Sequence, residues 1–322
     1  MIPRTLAAFL ALLLVGAGSL RADEAFVTNQ AEDDLSVLDL DTGKAVATIP
    51  IGGKPAGVAV SADGARVYVT SPDGRALSII DAPARKLLHR IPLEGGPLGV
   101  AVHPSGSPIY VADWYASRIL EVDPEKQEVT GSIEVGKSPS GLAVTPDGKL
   151  LLSADRESHQ VTIVDTAGQK VLATVPVGQH PFGVTIDAKG ERAYTANVTS
   201  NDVSVIDIAA RKVVGTVKVG ERPYVIALAN GRAFVTDQYA AQVSVFDTTS
   251  LQPLGVVAVG EYPEGAQASA DGRRVYIVNW ASNTVTVIDS ETLKVIGEMK
   301  TGDGPRAFGL FIRQTGAGSP TP

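Results

Sequence analysis

A proline recurs along this chain at Pro55, Pro97, Pro139, Pro181, Pro223, Pro263 and Pro305, at spacings of 42, 42, 42, 42, 40 and 42 residues. Self-similarity at such a period confines the fold to architectures that stack one supersecondary unit against its own copies. After each proline come an apolar stretch, a turn and a second stretch, GVAVSADGARVYVTS in the first unit and GLAVTPDGKLLLSAD in the third. Two more stretches complete each unit, as in LSIID with KLLHRI, VTIVD with KVLATV and VSVID with KVVGTV. Their β-branched content and breaker-bounded lengths predict strands, and helical periodicity is absent.

Four strands in each of seven units are too many for one open sheet, because each unit has two faces to bury and twisted sheets curl as strands are added. Radial packing of the units as blades meets both demands. The expected fold is therefore all-β, a seven-bladed β-propeller with four-stranded blades, strands A to D running outward and A following the proline. Ala25 to Asn29, Leu35 to Asp39 and Ala45 to Ile49 supply B, C and D with no A before them, while Arg306 to Ile312 supplies an A with nothing after it. The two ends should share one blade, closing the ring noncovalently and removing the edges that invite aggregation. A monomer is expected, with the propeller over residues 23–312 and a Gly-, Ser-, Thr- and Pro-bearing tail over 313–322.

Residues Met1 to Ala22 read as a secretory signal: Arg4 is basic, Leu6 to Val15 is apolar, and Leu20, Arg21 and Ala22 form a cleavage site before Asp23. The apolar run is shorter than the roughly 20 residues of a spanning helix, so no membrane span is expected after cleavage. The expected location is the periplasm or beyond. The removed segment carries two arginines and no acid, so the net charge of −7 becomes about −9 in the mature chain, which argues against a general nucleic-acid coat. With no cysteine, disulfides, thiolate metal sites and covalent c-type haem attachment are excluded.

The segments FVTN, YVTS, YVAD, YTAN, FVTD and YIVN, each followed by a VSVID-like strand, make the chain resemble the YVTN-family β-propeller repeat proteins over nearly its whole mature length. The resemblance implies the propeller fold. It also implies a range of activities: secreted propellers without assigned chemistry, a periplasmic propeller that binds single-stranded DNA, and more distant lactone hydrolases and haem-binding propellers, with fold alone selecting none. A single-stranded DNA partner would stack its bases on aromatic side chains. The tryptophan-bearing repeat of quinone-dependent dehydrogenase propellers is missing, and no cofactor is assigned.

The A-to-B turns SADG, HPSG, TPDG, DAKG and ANG are hairpin chemistry. Likewise Asp39, Asp81, Asp123, Asp165, Asp207, Asp247 and Asp289, each closing a strand C, read as turn formers. The face made of D-to-A and B-to-C loops departs from the repeat. Around its prolines stand Lys54, His180, Arg222, Tyr224, Tyr262, Glu264 and Arg306, and its B-to-C loops carry Asp113, Trp114, Tyr115, Asp155, His159, Asn197, Asp237, Tyr239, Asn279 and Trp280. Large aromatics in loops are typical of recognition surfaces. The alternative is that Trp114 and Trp280 merely cap packing between blades.

This face is the expected site for a periplasmic protein, a glycan or a small polar or anionic ligand. Arg222 and Arg306 would offer forked donors, His180 a switchable donor or acceptor, Tyr224 and Tyr262 flat walls. No metal site is expected: four histidines are scattered, and Asp155, His159 and His180 form the one grouping worth testing. His89 and His103 fall elsewhere and read as exposed. No GxSxG motif or distinguished Ser, His and Asp set marks a hydrolase. Catalytic residues are thus unassigned, and binding is the leading role, ahead of an enzyme or a cofactor carrier.

Overall fold

The computed structural model describes residues 23–315. Seven antiparallel sheets of four strands surround a central axis, and no α-helix occurs among the described residues. Blades are numbered here by their prolines, so blade 1 begins at Pro55 and blade 7 is the shared one. The innermost strands A are Val58–Val60, Pro97–Val102, Pro139–Val144, Pro181–Ile186, Pro223–Ala229, Pro263–Ala268 and, in blade 7, Ile312–Arg313. The expected turn formers behave as such: Asp247 Oδ1 accepts the backbone N–H groups of Thr249 and Ser250, at 3.0 and 2.7 Å, and Asp289 repeats the pattern with Glu291 and Thr292. Those bonds hold both carboxyls below their usual range.

Strand B alternates as the pleat requires, with its aromatic buried between blades: Tyr68, Tyr110, Tyr194, Tyr276, Phe26 and Phe234 are all at most 3% exposed. One apolar cluster, for example, joins Tyr68, Leu77 and Ile79 of blade 1 to Val100, Ile109 and Val111 of blade 2. Around the axis the A strands touch directly. A Cβ on Gly99 would land far inside contact distance of the Ser140 carbonyl oxygen, and Gly57, Gly141, Gly183 and Gly265 meet the following blade in the same way. Glycine is needed here for close approach, and we expect Gly99→Ala to cost about 1–3 kcal/mol through overpacking against backbone that has no room to retreat. A urea midpoint unchanged from the parent protein would contradict that expectation.

Outer strands D leave one edge per blade open. In all seven blades the C–D register slips at the same place, between Val37 and Leu38, Ile79 and Ile80, Glu121 and Val122, Ile163 and Val164, Val205 and Ile206, Val245 and Phe246, and Val287 and Ile288. A bulge at each edge interrupts the ladder that a second chain would need.

The ends close the ring as expected, by a more broken path. Ile312–Arg313 pairs with Ala25 and Glu24, Phe26 N–H donates to Phe311 O at 2.8 Å, and Arg306 N–H donates to Thr28 O at 2.9 Å. Between these contacts Ala307 takes φ 63°, and the chain swings to blade 1, where Phe308 O and Leu310 O accept the N–H groups of Val58 and Val60. Arg306 to Ile312 is therefore not one continuous strand: it laces blade 7 to blade 1. Gln267 of blade 6 adds a third clamp, its Oε1 accepting both Phe311 N–H and Ile312 N–H. Arg313, placed at the start of the tail by sequence, is anchored by Glu24, which also pairs with Arg85. The cleavage site before Asp23 and residues 316–322 lie outside the described residues.

Candidate functional site

The residue before the recurring proline adopts the left-handed region in six blades, with φ between 51° and 65° at Lys54, Ser138, His180, Arg222, Tyr262 and Gly304. Five of these are not glycine, and such a backbone costs on the order of 1 kcal/mol each. A side chain in the neighbouring B-to-C loop offsets the cost at several of them by accepting the backbone N–H. Asp33 accepts from Lys54, Asn201 from Arg222 and Asn283 from Gly304, at 2.7, 2.9 and 2.9 Å. His159 Nδ1 does the same for His180 N–H at 3.1 Å. The repeat thus assigns His159 a structural task, that of an acceptor standing where other blades use a carboxylate or an amide.

That placement dissolves the grouping of Asp155, His159 and His180. The two imidazoles do meet, with centroids 4.9 Å apart, and His180 reaches Thr199 Oγ1 at 2.9 Å and the Glu157 carboxylate at 3.6 Å. Asp155 is fully buried elsewhere, bound by Ser153, Gln160 and Thr162 and by the backbone N–H of Gly136. No group of three or more metal-ligating side chains occurs among the described residues.

The other polar ends of strand B are buried as well. Asp113, Asn197, Asp237 and Asn279 are 0% exposed, so they do not face a ligand, contrary to their place in a loop by sequence. Each is matched to the residue five positions on. Asn197 donates to Asp202, Asn279 to Thr284, while Asp113 accepts from Arg118 and Asp237 from Gln242. Donor and acceptor swap together between blades, and that exchange was visible in sequence. Desolvation raises the Asp155 carboxyl, and it raises Asp237 to about 6.

What remains on the face is aromatic. An arc crosses three blades: Arg222 lies 5.0 Å over the Tyr239 ring, Tyr239 and Tyr262 meet edge to face at 5.6 Å, and Tyr262 meets Trp280 at 6.0 Å. Arg306 continues it, 6.0 Å from the Trp280 ring and 5.4 Å from Phe308. Tyr115, Tyr239 and Tyr262 are 80%, 53% and 40% exposed, whereas Trp280 packs more deeply, with its indole N–H lacking a hydrogen-bond partner.

Phe308 leads into the channel mouth, where Phe182, Tyr224 and Phe308 stack at 4.1 to 5.7 Å and plug the opening. Above the plug lies a depression of about 230 Å³ lined by Trp114, Tyr115, Phe182, Tyr224, Arg306 and Phe308, together with Pro72, Gly96 and Leu98. Trp114 and Trp280 therefore flank Arg306 from two sides of one rim. A larger cleft of about 370 Å³ opens between the outer strands beside Val217, Val245 and Val256 and reaches Val219 and Gly220 of one D-to-A loop.

Arg306 is the hub of the mouth, with its Nε and Nη1 groups engaged. Its Nη1 is 3.2 Å from Glu264 Oε2 and its Nε donates to Gln30 at 2.8 Å; Gln238 donates to the other Glu264 oxygen at 2.5 Å. Burial raises the Glu264 carboxyl, with Arg306 pulling the other way. Burial next to Glu264 pushes the Tyr224 phenol up to about 12. Lys54 sits apart, 3.5 Å from Asp33, and His180 is not in the lining. Of the expected site residues, then, Trp114, Tyr115, Arg222, Tyr224, Tyr239, Tyr262, Glu264, Trp280 and Arg306 form one connected region. Phe308 was missed. Its signal is a lone aromatic three residues after the proline, where Val58, Val100, Leu142, Val184, Ile226 and Ala266 stand in the other units.

Residues 14–107 match the family of YNCE-like β-propellers. No curated protein matches the chain. Among solved structures it is similar to hydrazine synthase of Kuenenia stuttgartiensis, with TM-score 0.72, 18% identity, and coverage of 78% of this chain and 88% of that one. It is similar to a functionally unknown protein of Desulfotomaculum acetoxidans DSM 771, with TM-score 0.77, 16% identity, and coverage of 88% and 98%. The dihydro-heme d1 dehydrogenase NirN, in complex with DHE, gives TM-score 0.68 at 15% identity over 92% of this chain and 76% of that one. At these identities the likeness is one of fold.

Proposed function

We propose that this chain, a YVTN-type β-propeller repeat protein, is a non-catalytic binding or scaffold protein of the periplasm that engages its ligand with the D-to-A and B-to-C loop face. The observation that carries this reading is the run of half-exposed to exposed tyrosines, Tyr115, Tyr239 and Tyr262, joined to Trp280 and two arginines on one side of a rigid ring. Wet aromatics cost free energy unless something covers them, and rigid aromatic anchors lose little entropy on binding. The opposite face supplies hairpin turns.

Chemistry at the mouth draws less support. Glu264 and Arg306 neutralise each other, and Tyr224 keeps its proton at neutral pH. A polyanion is likewise disfavoured, since Glu32, Asp73, Glu94, Glu157, Glu221, Glu261 and Asp303 stand exposed in the loops of this same face.

Both tryptophans of the chain lie here, so their emission reports occupancy of the face directly. Titration with defined short peptides and neutral oligosaccharides should shift that emission for the class that binds. The triple variant Tyr115→Ala, Tyr239→Ala and Tyr262→Ala should then bind at least about tenfold more weakly, with a melting temperature close to that of the parent because the rings are exposed. A ligand held as tightly by the variant as by the parent would remove this reading.

A further inference from the structure

The depression above the channel plug refines the binding reading and rests on it. Its walls are the rings of Trp114, Tyr115, Phe182, Tyr224 and Phe308, and its one charged group, Arg306, is already neutralised by the buried Glu264 carboxylate. Cations of the chain itself already lie over other rings, Arg222 over Tyr239, and Arg306 beside Trp280 and, within the depression, beside Phe308. Trp114 and Tyr115 have no ring or cation stacked on them among the described residues, and Tyr115 is 80% exposed. An exposed carboxylate, Asp73, stands next to the lining Pro72, while Glu94, two residues before the lining Gly96, lies 3.9 Å from the Arg118 guanidinium.

From this geometry we propose that the depression binds a small organic cation of the quaternary ammonium type. The ring faces of Trp114 and Tyr115 attract the charge through their quadrupoles, and the remaining rings take the methyl groups out of water. The exposed Asp73 beside the lining Pro72 adds a favourable field. Arg306 donates hydrogen bonds only, so a primary ammonium or a guanidinium would lose its water there and gain few acceptors, whereas a tetraalkylated nitrogen has no N–H to satisfy. A volume of about 230 Å³ is below that of a typical drug-sized pocket and suits a single headgroup.

The test is calorimetric titration of the whole protein with choline and, in parallel, with its neutral tert-butyl analogue, in which carbon replaces the nitrogen. Choline is expected to bind at least about tenfold more tightly than the neutral isostere. Tyr115→Ala should lose at least about fivefold in choline affinity while Tyr115→Phe, which keeps the π face, retains it. Sedimentation with phosphatidylcholine vesicles that depends on Tyr115 would name a lipid headgroup as the source; choline binding without sedimentation would name the free cation. Equal affinity for the two isosteres, or no heat from choline, overturns the inference. Either failure leaves the wider binding reading standing, because that reading falls only if ligand affinity ignores the three tyrosines.

Discussion

A chain ending before Pro305 is expected to lose cooperative folding altogether. The deleted segment carries Phe308, Phe311 and Ile312, which are 5%, 0% and 5% exposed, and burial of three large apolar side chains contributes roughly 5–9 kcal/mol. The net stability of a domain is about 5–15 kcal/mol, so the loss is comparable to the whole. The deletion also strips blade 7 of its inner strand, removes the partner of Val58 and Val60 in blade 1, and leaves Glu24 with one arginine instead of two. Circular dichroism melts and gel filtration are the measurements: the truncated protein should be expanded or aggregated, with no sharp transition. A melt within a few degrees of the parent would show that the remaining six blades hold the ring without its clasp.

Asp237→Asn is expected to stabilise the protein at neutral pH by up to about 3 kcal/mol, the equivalent of moving a carboxyl from 3.8 to about 6. The side chain is 0% exposed, no cation among the described residues pairs with it, and one of its oxygens lacks a hydrogen bond. Its pKa is raised in the folded state, so its favourable contribution is fully present below about 3.8 and is lost as pH rises through about 6. An amide escapes that loss. It also fits, because Asn197 and Asn279 occupy the equivalent positions and donate Nδ2 to Ser204 and Thr286 at 3.0 and 2.8 Å, where Asp237 accepts from Ser244. Melting temperatures of the two proteins should coincide near pH 3.5 and separate by several degrees at pH 7.5. A constant gap across that range would place the effect elsewhere than in the proton.

Most of the ring was legible because its information is repeated. Seven prolines at nearly constant spacing, and hairpin and Asp-closed turns in register, each specify a local conformation, and their agreement leaves one architecture. The shared blade followed from counting strands. The path of the last strand did not, since Ala307 gives no local sign of its left-handed backbone, which is imposed by the approach of Val58, Val60 and Gln267 from two other blades.

The site divides in the same way. Sequence placed Trp114, Tyr115, Tyr239, Tyr262 and Trp280 on one face because loop membership depends only on chain order. It placed Asp113, Asp155 and Asp237 there too, and those turned inward, because a residue ending a strand points into the blade or out of it according to the pleat. His159, grouped by sequence with Asp155 and His180 as worth testing, is an acceptor for a backbone N–H.

The amino-acid order alone thus determined the number of blades, their strand composition, the shared closure and the face that varies, all of which are properties of local pattern and its repetition. Only the tertiary structure decided that Arg306 is held by Glu264, that Phe308 plugs the mouth, and that Trp114 and Tyr115 carry no stacked ring or cation among the described residues. These contacts join residues from different blades, and their distances depend on how seven blades close around one axis.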